Sequence, residues 1–143
     1  MKMRNKGLVL TPTRELYIHA YPDADFAGLY GYEDSFNPVC VRSRSGFVTN
    51  VASCPVLWKA VLQTEITTST MEAEVVAFGA CCKELIPIID LVDEVGSAVG
   101  LSLNEKTNVH MVIHEDNDGA LIFAQILPPQ HTYRSKHYAV KTY

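Results

Sequence analysis

Along the first sixty positions, apolar residues gather in short runs rich in β-branched and aromatic side chains, separated by turn formers. The run Leu16-Tyr-Ile-His-Ala-Tyr21 predicts a strand closed by Pro22. Residues 45–51 and 55–62 predict two more, and the short link Ala52-Ser53-Cys54 makes them an antiparallel pair. With the first strand they form a meander, whose first connection is a loop over residues 28–38. From residue 69 the pattern becomes helical. Ser69-Thr70-Met71-Glu72 fits the S/T-x-x-E capping box, and Met71, Val75, Phe78, Cys82, Leu85 and Ile89 then follow a helical repeat, placing one face in the core. Pro87 falls inside this pattern and is expected to kink or interrupt the helix, while Gly96 and Gly100 mark its far end. Val109–His114 predicts a short buried strand, Gly119–Ile126 a helix ended before Pro128-Pro129, and Arg134–Tyr143 an extended tail. The order predicts an α/β domain with a mixed five-stranded sheet and helices packed on it.

Composition narrows the function classes. A chain of 143 residues, 48% hydrophobic and 20% charged, is one globular domain. Twelve basic against sixteen acidic side chains leave a net charge of −4, which argues against clinging to phosphate backbones through bulk positive charge. No apolar run reaches the roughly 20 residues of a membrane helix. The basic start of the chain is followed by Thr11-Pro-Thr-Arg14, which ends its apolar stretch too soon for a signal peptide. The expectation is an intracellular domain with no membrane partner. Cys40, Cys54, Cys81 and Cys82 show no C-x-x-C spacing, so reduced thiols are favoured over a zinc site with His110 or His114.

Candidate chemistry is carried by carboxylates. Asp23 and Asp25 follow the first predicted strand, and Asp116 follows the fourth inside His114-Glu-Asp-Asn-Asp-Gly119. Carboxylates at the ends of neighbouring strands converge and invite a divalent cation; taken singly, each is also an ordinary turn residue. Advancing about 100° per residue, Glu74 lies about 60° from the centre of the apolar face, and Glu72 about 100° away on the other side. Glu72 is explained by the capping box, whereas Glu74 borders the core and needs a partner. An EF-hand reading of the Asp-Asn-Asp-Gly segment fails, because it puts His114 and Gln125 at the first and twelfth ligand positions. No G-x-S-x-G elbow and no glycine-rich phosphate loop is present. His19, His110 and His114 read as structural histidines within strands, and His131 as a loop residue able to act as acid or base.

Taken together, these segments resemble the ribonuclease H domain of copia-type retrotransposon polyproteins. Tyr21-Pro-Asp-Ala-Asp-Phe-Ala-Gly28 is similar to the family's Y-x-D-A-D-W/F-A-G. Ser45-Gly-Phe-Val48 resembles its S-G-Y/F-V strand, and Trp58, Gln63 and Ser69-Thr-Met-Glu-Ala-Glu74 its W…Q…S-T-x-E-A-E. Asp116-Asn117 with Ala120 matches D-N-x-x-A, and Arg134-Ser-Lys-His137 matches R-T/S-K-H.

The resemblance implies a ribonuclease H-like fold over residues 1–143, with 1–14 a linker from an upstream reverse transcriptase domain. It implies cleavage of the RNA strand of RNA–DNA hybrids, with two Mg²⁺ or Mn²⁺ ions expected and one as the reduced case. The family's acidic residues fall on Asp23, Glu74 and Asp116, as metal ligands and catalytic groups. Asp25, His131 and His137 are accessory candidates, and Arg42, Arg44, Arg134 and Lys136 candidate nucleic-acid contacts. The particle that houses such an enzyme is cytoplasmic, with the nucleus as the alternative. One departure stands out. The family's usual ending K-H-I-D supplies a fourth carboxylate, and here Lys136-His-Tyr is followed by Ala139; the helix that usually comes next is also expected to be missing. Two functions therefore compete: a nuclease weakened by Ala139, and an inactive remnant that only binds nucleic acid or a polymerase partner.

Overall fold

The structure, a computed structural model, describes residues 7–34, 36–100 and 110–125. Its elements are β1 (Tyr17–Asp25), β2 (Arg44–Val51), β3 (Cys54–Leu62), α1 (Thr70–Ala98), β4 (His110–Ile113) and α2 (Asp118–Gln125), with a 3₁₀ turn at Pro38–Val41. The strands form a four-stranded sheet in the order β3-β2-β1-β4. β1, β2 and β3 are an antiparallel meander and β4 runs parallel to β1, so the sheet is mixed and the fold is α/β. That architecture is compatible with a ribonuclease H-like fold. The fifth strand expected from the tail lies outside the described residues.

The meander closes through a two-residue hairpin turn, Ala52-Ser53, with φ of 49° and 65°. Both angles are in the left-handed region that a tight hairpin of this hand demands. β1 runs further than expected, through Pro22 to Asp25. The Ala20 carbonyl accepts from the His114 N–H at 2.8 Å, so even-numbered backbone groups of β1 face β4. β4 ends at Ile113, opposite Ala20, and among the described residues nothing pairs with β1 on that side at Pro22. The missing proline N–H therefore interrupts no ladder bond, and the strand continues.

α1 covers one face of the sheet. Its core cluster is Ile18, Ala20, Phe47, Cys81 and Leu85, flanked by Val51, Leu57, Ile88, Ile89, Val92 and Ile113. The buried stripe of α1 is rotated from the predicted one. It runs through Glu74, Ala77, Cys81 and Leu85, while Met71, Val75, Phe78 and Cys82 are half-buried at its margin. Ala73, Ala77 and Cys81 are fully buried, since small side chains let the helix axis approach the sheet and the larger ones fill the sides. Pro87 does not interrupt α1, a correction to the expected break. It sits on the exposed side with Lys83, whose carbonyl loses its helical partner where water can replace it.

All four cysteines are free thiols, with Cys40, Cys54 and Cys81 buried. Burial pushes the Cys81 thiol up to about 11, which makes it a small apolar side chain and not a reactive one. On the sheet face away from α1, the rings of Tyr17, His19, Tyr21, His110 and His114 form a row, stacked among His19, Tyr21 and His114 and tilted where Tyr17 meets His19 and His110, and His19 Nδ1 and His114 Nε2 are 2.9 Å apart. The two histidines satisfy each other, as expected of structural imidazoles.

Candidate metal centre

Three chain segments converge because β1 and β4 are parallel neighbours. Their pairing runs from Tyr17 opposite His110 to Ala20 opposite Ile113, so both strands deliver their C-terminal ends to the same edge. Asp23 leaves that edge on β1, and Glu115 and Asp116 on the segment after β4.

The first turn of α1 is fixed at the same place by its caps. The Ser69 side chain accepts from the Glu72 N–H at 3.1 Å, and Glu72 Oε2 accepts from the N–H and hydroxyl of Thr68 at 2.7 and 3.0 Å. The reciprocal bond reaches Thr68, one residue further back than in the simplest capping box. Gln63 then ties this turn to the sheet: its Nε2 donates to the Ala73 carbonyl and to Ser45 Oγ, both at 2.9 Å. Ala73 is thereby held against β2, and Glu74 is the next residue.

α2 closes the arrangement. Asn117 caps it, accepting from the Ala120 N–H at 3.0 Å, and Ala120 is buried beneath the turn. A Cβ added at Gly119 would meet the Met71 side chain at 3.0 Å, so the first turns of α1 and α2 approach through a glycine. The S-T-x-E-A-E and D-N-x-x-A segments thus each supply a cap, a buried alanine and an acid.

Carboxylate oxygens of Glu74, Glu115 and Asp116 all lie within 4.8 Å of one another. Glu74 is 8% exposed, and its Oε2 is buried with no hydrogen-bond partner. Its pKa is pushed up to about 7, first by burial and then by the charges of Glu115, Asp23 and Asp116, against the pull of the Ala24 N–H. Burial also raises Glu115, again with Asp116 and Asp23 adding repulsion; the Asn117 N–H, donating to Glu115 Oε1 at 3.1 Å, opposes this. No basic side chain among the described residues makes an ion pair with any of the four; the salt bridge present joins Lys59 and Glu84 on the surface. Oxygens bind hard dications at roughly 2.0–2.6 Å, so two on opposite sides of one ion stand about 4–5 Å apart. The three carboxylates fit that spacing, and the donor set is all oxygen, as Mg²⁺ and Mn²⁺ prefer. This acidic cluster can bind a metal ion.

The predicted site residues separate into three groups. Glu74 and Asp116 are brought together. Asp23 is exposed at the end of β1 and acts on Glu74 and Glu115 through its charge, outside the tight triangle. The Asp25 carboxylate lies over Gly28, in space a Cβ there would take. Arg42 and Arg44 are half-buried, with Arg44 paired to Asp25 across β1 and β2. His131, Arg134, Lys136, His137 and Ala139 lie outside the described residues. Glu115 was not foreseen. It precedes Asp116, and strand alternation would send it to the opposite face; but β4 ends at Ile113, so the alternation no longer applies.

Compared with known proteins, the chain has no significant match to a protein-family model, a curated protein or a solved structure.

Proposed function

We propose that the chain is a metal-dependent endonuclease that cuts the RNA strand of RNA–DNA hybrids in retrotransposon-type reverse transcription. Its partners in that reading are the hybrid and an upstream reverse transcriptase domain, in a cytoplasmic particle. The observation that carries it is the meeting of Glu74 with Asp116 in a space of ionic size, at two of the positions the motif resemblance selects. Among the described residues no helix is long and apolar enough to cross a membrane.

Glu74 and Asp116 would hold the ion, with Asp23 beside them for a second. Bound dications supply an acidified water for attack on the phosphodiester and neutralise charge on the leaving oxygen. The protein's own part is preorganisation. The Ala24 N–H favours the ionised form of Glu74, and the Asn117 N–H holds Glu115 Oε1. Without a dication these acids repel a phosphate. With one they draw it in, while Arg42 and Arg44 lie where β2 begins beside the end of β1. The hybrid is recognised by backbone shape and 2′-hydroxyls, so cutting is independent of base sequence.

The test is cleavage of labelled RNA in a hybrid in Mg²⁺ or Mn²⁺. Asp23→Asn, Glu74→Gln and Asp116→Asn should each lower the rate by about 100-fold or more, roughly 2.7 kcal/mol of barrier. Ala139 motivates the second reading, a fold that binds hybrid without turnover. Hybrid binding in EDTA with no cutting in either metal would establish that reading and remove the first.

A further inference from the structure

We propose that Glu115 is a direct ligand of the dication, alongside Glu74 and Asp116. The inference rests on the metal-site reading above and goes beyond the motif resemblance, which assigns Glu115 nothing.

The acids alone would not carry it. What points to a ligand is Glu74, more than nine-tenths buried, with Oε2 unpartnered and within 4.8 Å of oxygens from Glu115 and Asp116. A buried carboxylate oxygen without a donor is costly, and a cation at that point removes the cost. Glu115 shares the defect. Its Oε1 is held by the Asn117 N–H, which leaves Oε2 buried and also without a partner. Two such oxygens, on Glu74 and Glu115, are matched by no basic side chain among the described residues.

Position separates Glu115 from Asp23. Both are acids at the same sheet edge, but Glu115 belongs to the close triangle and Asp23 does not. Glu115 is therefore the group whose oxygen the ion needs, and Asp23 contributes through charge at this first position.

Mn²⁺ binding to the full chain, followed by electron paramagnetic resonance, tests this without recourse to activity. Glu115→Gln should weaken Mn²⁺ by about 10-fold or more while leaving the metal-free protein folded. Glu115→Asp keeps the charge and withdraws the oxygens by one methylene. A direct ligand loses affinity there too, whereas a merely nearby charge does not. Glu94→Gln, an exposed acid near the far end of α1, should leave binding unchanged. Unaltered Mn²⁺ affinity in Glu115→Asp, or in Glu115→Gln when Glu74→Gln has lost it, overturns the role of Glu115 and leaves the site standing. No Mn²⁺ binding by the unsubstituted chain overturns the site itself, and this inference with it.

Discussion

Glu74 is held where its ionised form is least welcome. It is buried, one oxygen lacks a partner, and three other carboxylates press on it. With its pKa raised from 4.5 to about 7, the folded protein retains a proton there that the unfolded chain gives up earlier. The sign follows: in metal-free buffer stability falls as pH rises through that window. At about 1.4 kcal/mol per pKa unit the loss is on the order of 3 kcal/mol between pH 4.5 and 7. Denaturant titrations at several pH values should show it, and Glu74→Gln should flatten the profile and raise stability at neutral pH. Millimolar Mn²⁺ should restore the loss in the unsubstituted protein, because an ion binding only the folded state stabilises it by mass action. A flat profile in the unsubstituted protein would mean that Glu74 is solvated.

At the scale of elements, the site is precise because the ends of helices and strands are pinned. Gln63 joins β3, β2 and the first turn of α1 through two side-chain bonds. Gln63→Leu keeps the volume but removes both bonds and leaves the buried Ser45 hydroxyl without its donor, which should cost about 1–3 kcal/mol and lower Mn²⁺ affinity as Glu74 shifts. Equal Mn²⁺ affinity in that variant would detach Gln63 from the site. The Ala52-Ser53 turn offers the opposite effect: Ser53→Gly relieves a left-handed residue and should raise stability by about 1 kcal/mol in a melting experiment. Most elements were legible from local chemistry. The capping box, the hairpin and the 3.6-residue repeat each encode their element within a few residues. The rotation of α1 was not, because hydrophobicity ranks Met71 and Phe78 above Ala77, whereas close approach to a sheet favours the smaller residue. The continuity of β1 through Pro22 and of α1 through Pro87 escapes the local pattern for a related reason: a proline disrupts only where its N–H would have been used, and both stand where tertiary structure or solvent makes it dispensable.

For the whole molecule, a net charge of −4 describes an average that conceals a local concentration. Asp23, Glu74, Glu115 and Asp116 gather at one edge without ion-paired counter-charges among the described residues. Hybrid binding should therefore be weak in EDTA and tighten when Mn²⁺ is added, and Glu74→Gln should lose that gain. Arg44→Ala should lower affinity for all hybrid sequences alike and reduce the salt slope by about one unit. An unchanged slope removes Arg44 from the footprint. The pair Glu74 and Asp116 was visible in the sequence through helix position and strand end. Glu115 was hidden because its side chain becomes available only where the strand stops, a boundary set by pairing with β1.

Anomalous scattering from crystals grown with Mn²⁺ addresses the site most directly. The arrangement predicts at least one manganese peak bounded by the carboxylates of Glu74, Glu115 and Asp116. Crystals containing Mn²⁺ with no peak among these three residues would contradict it.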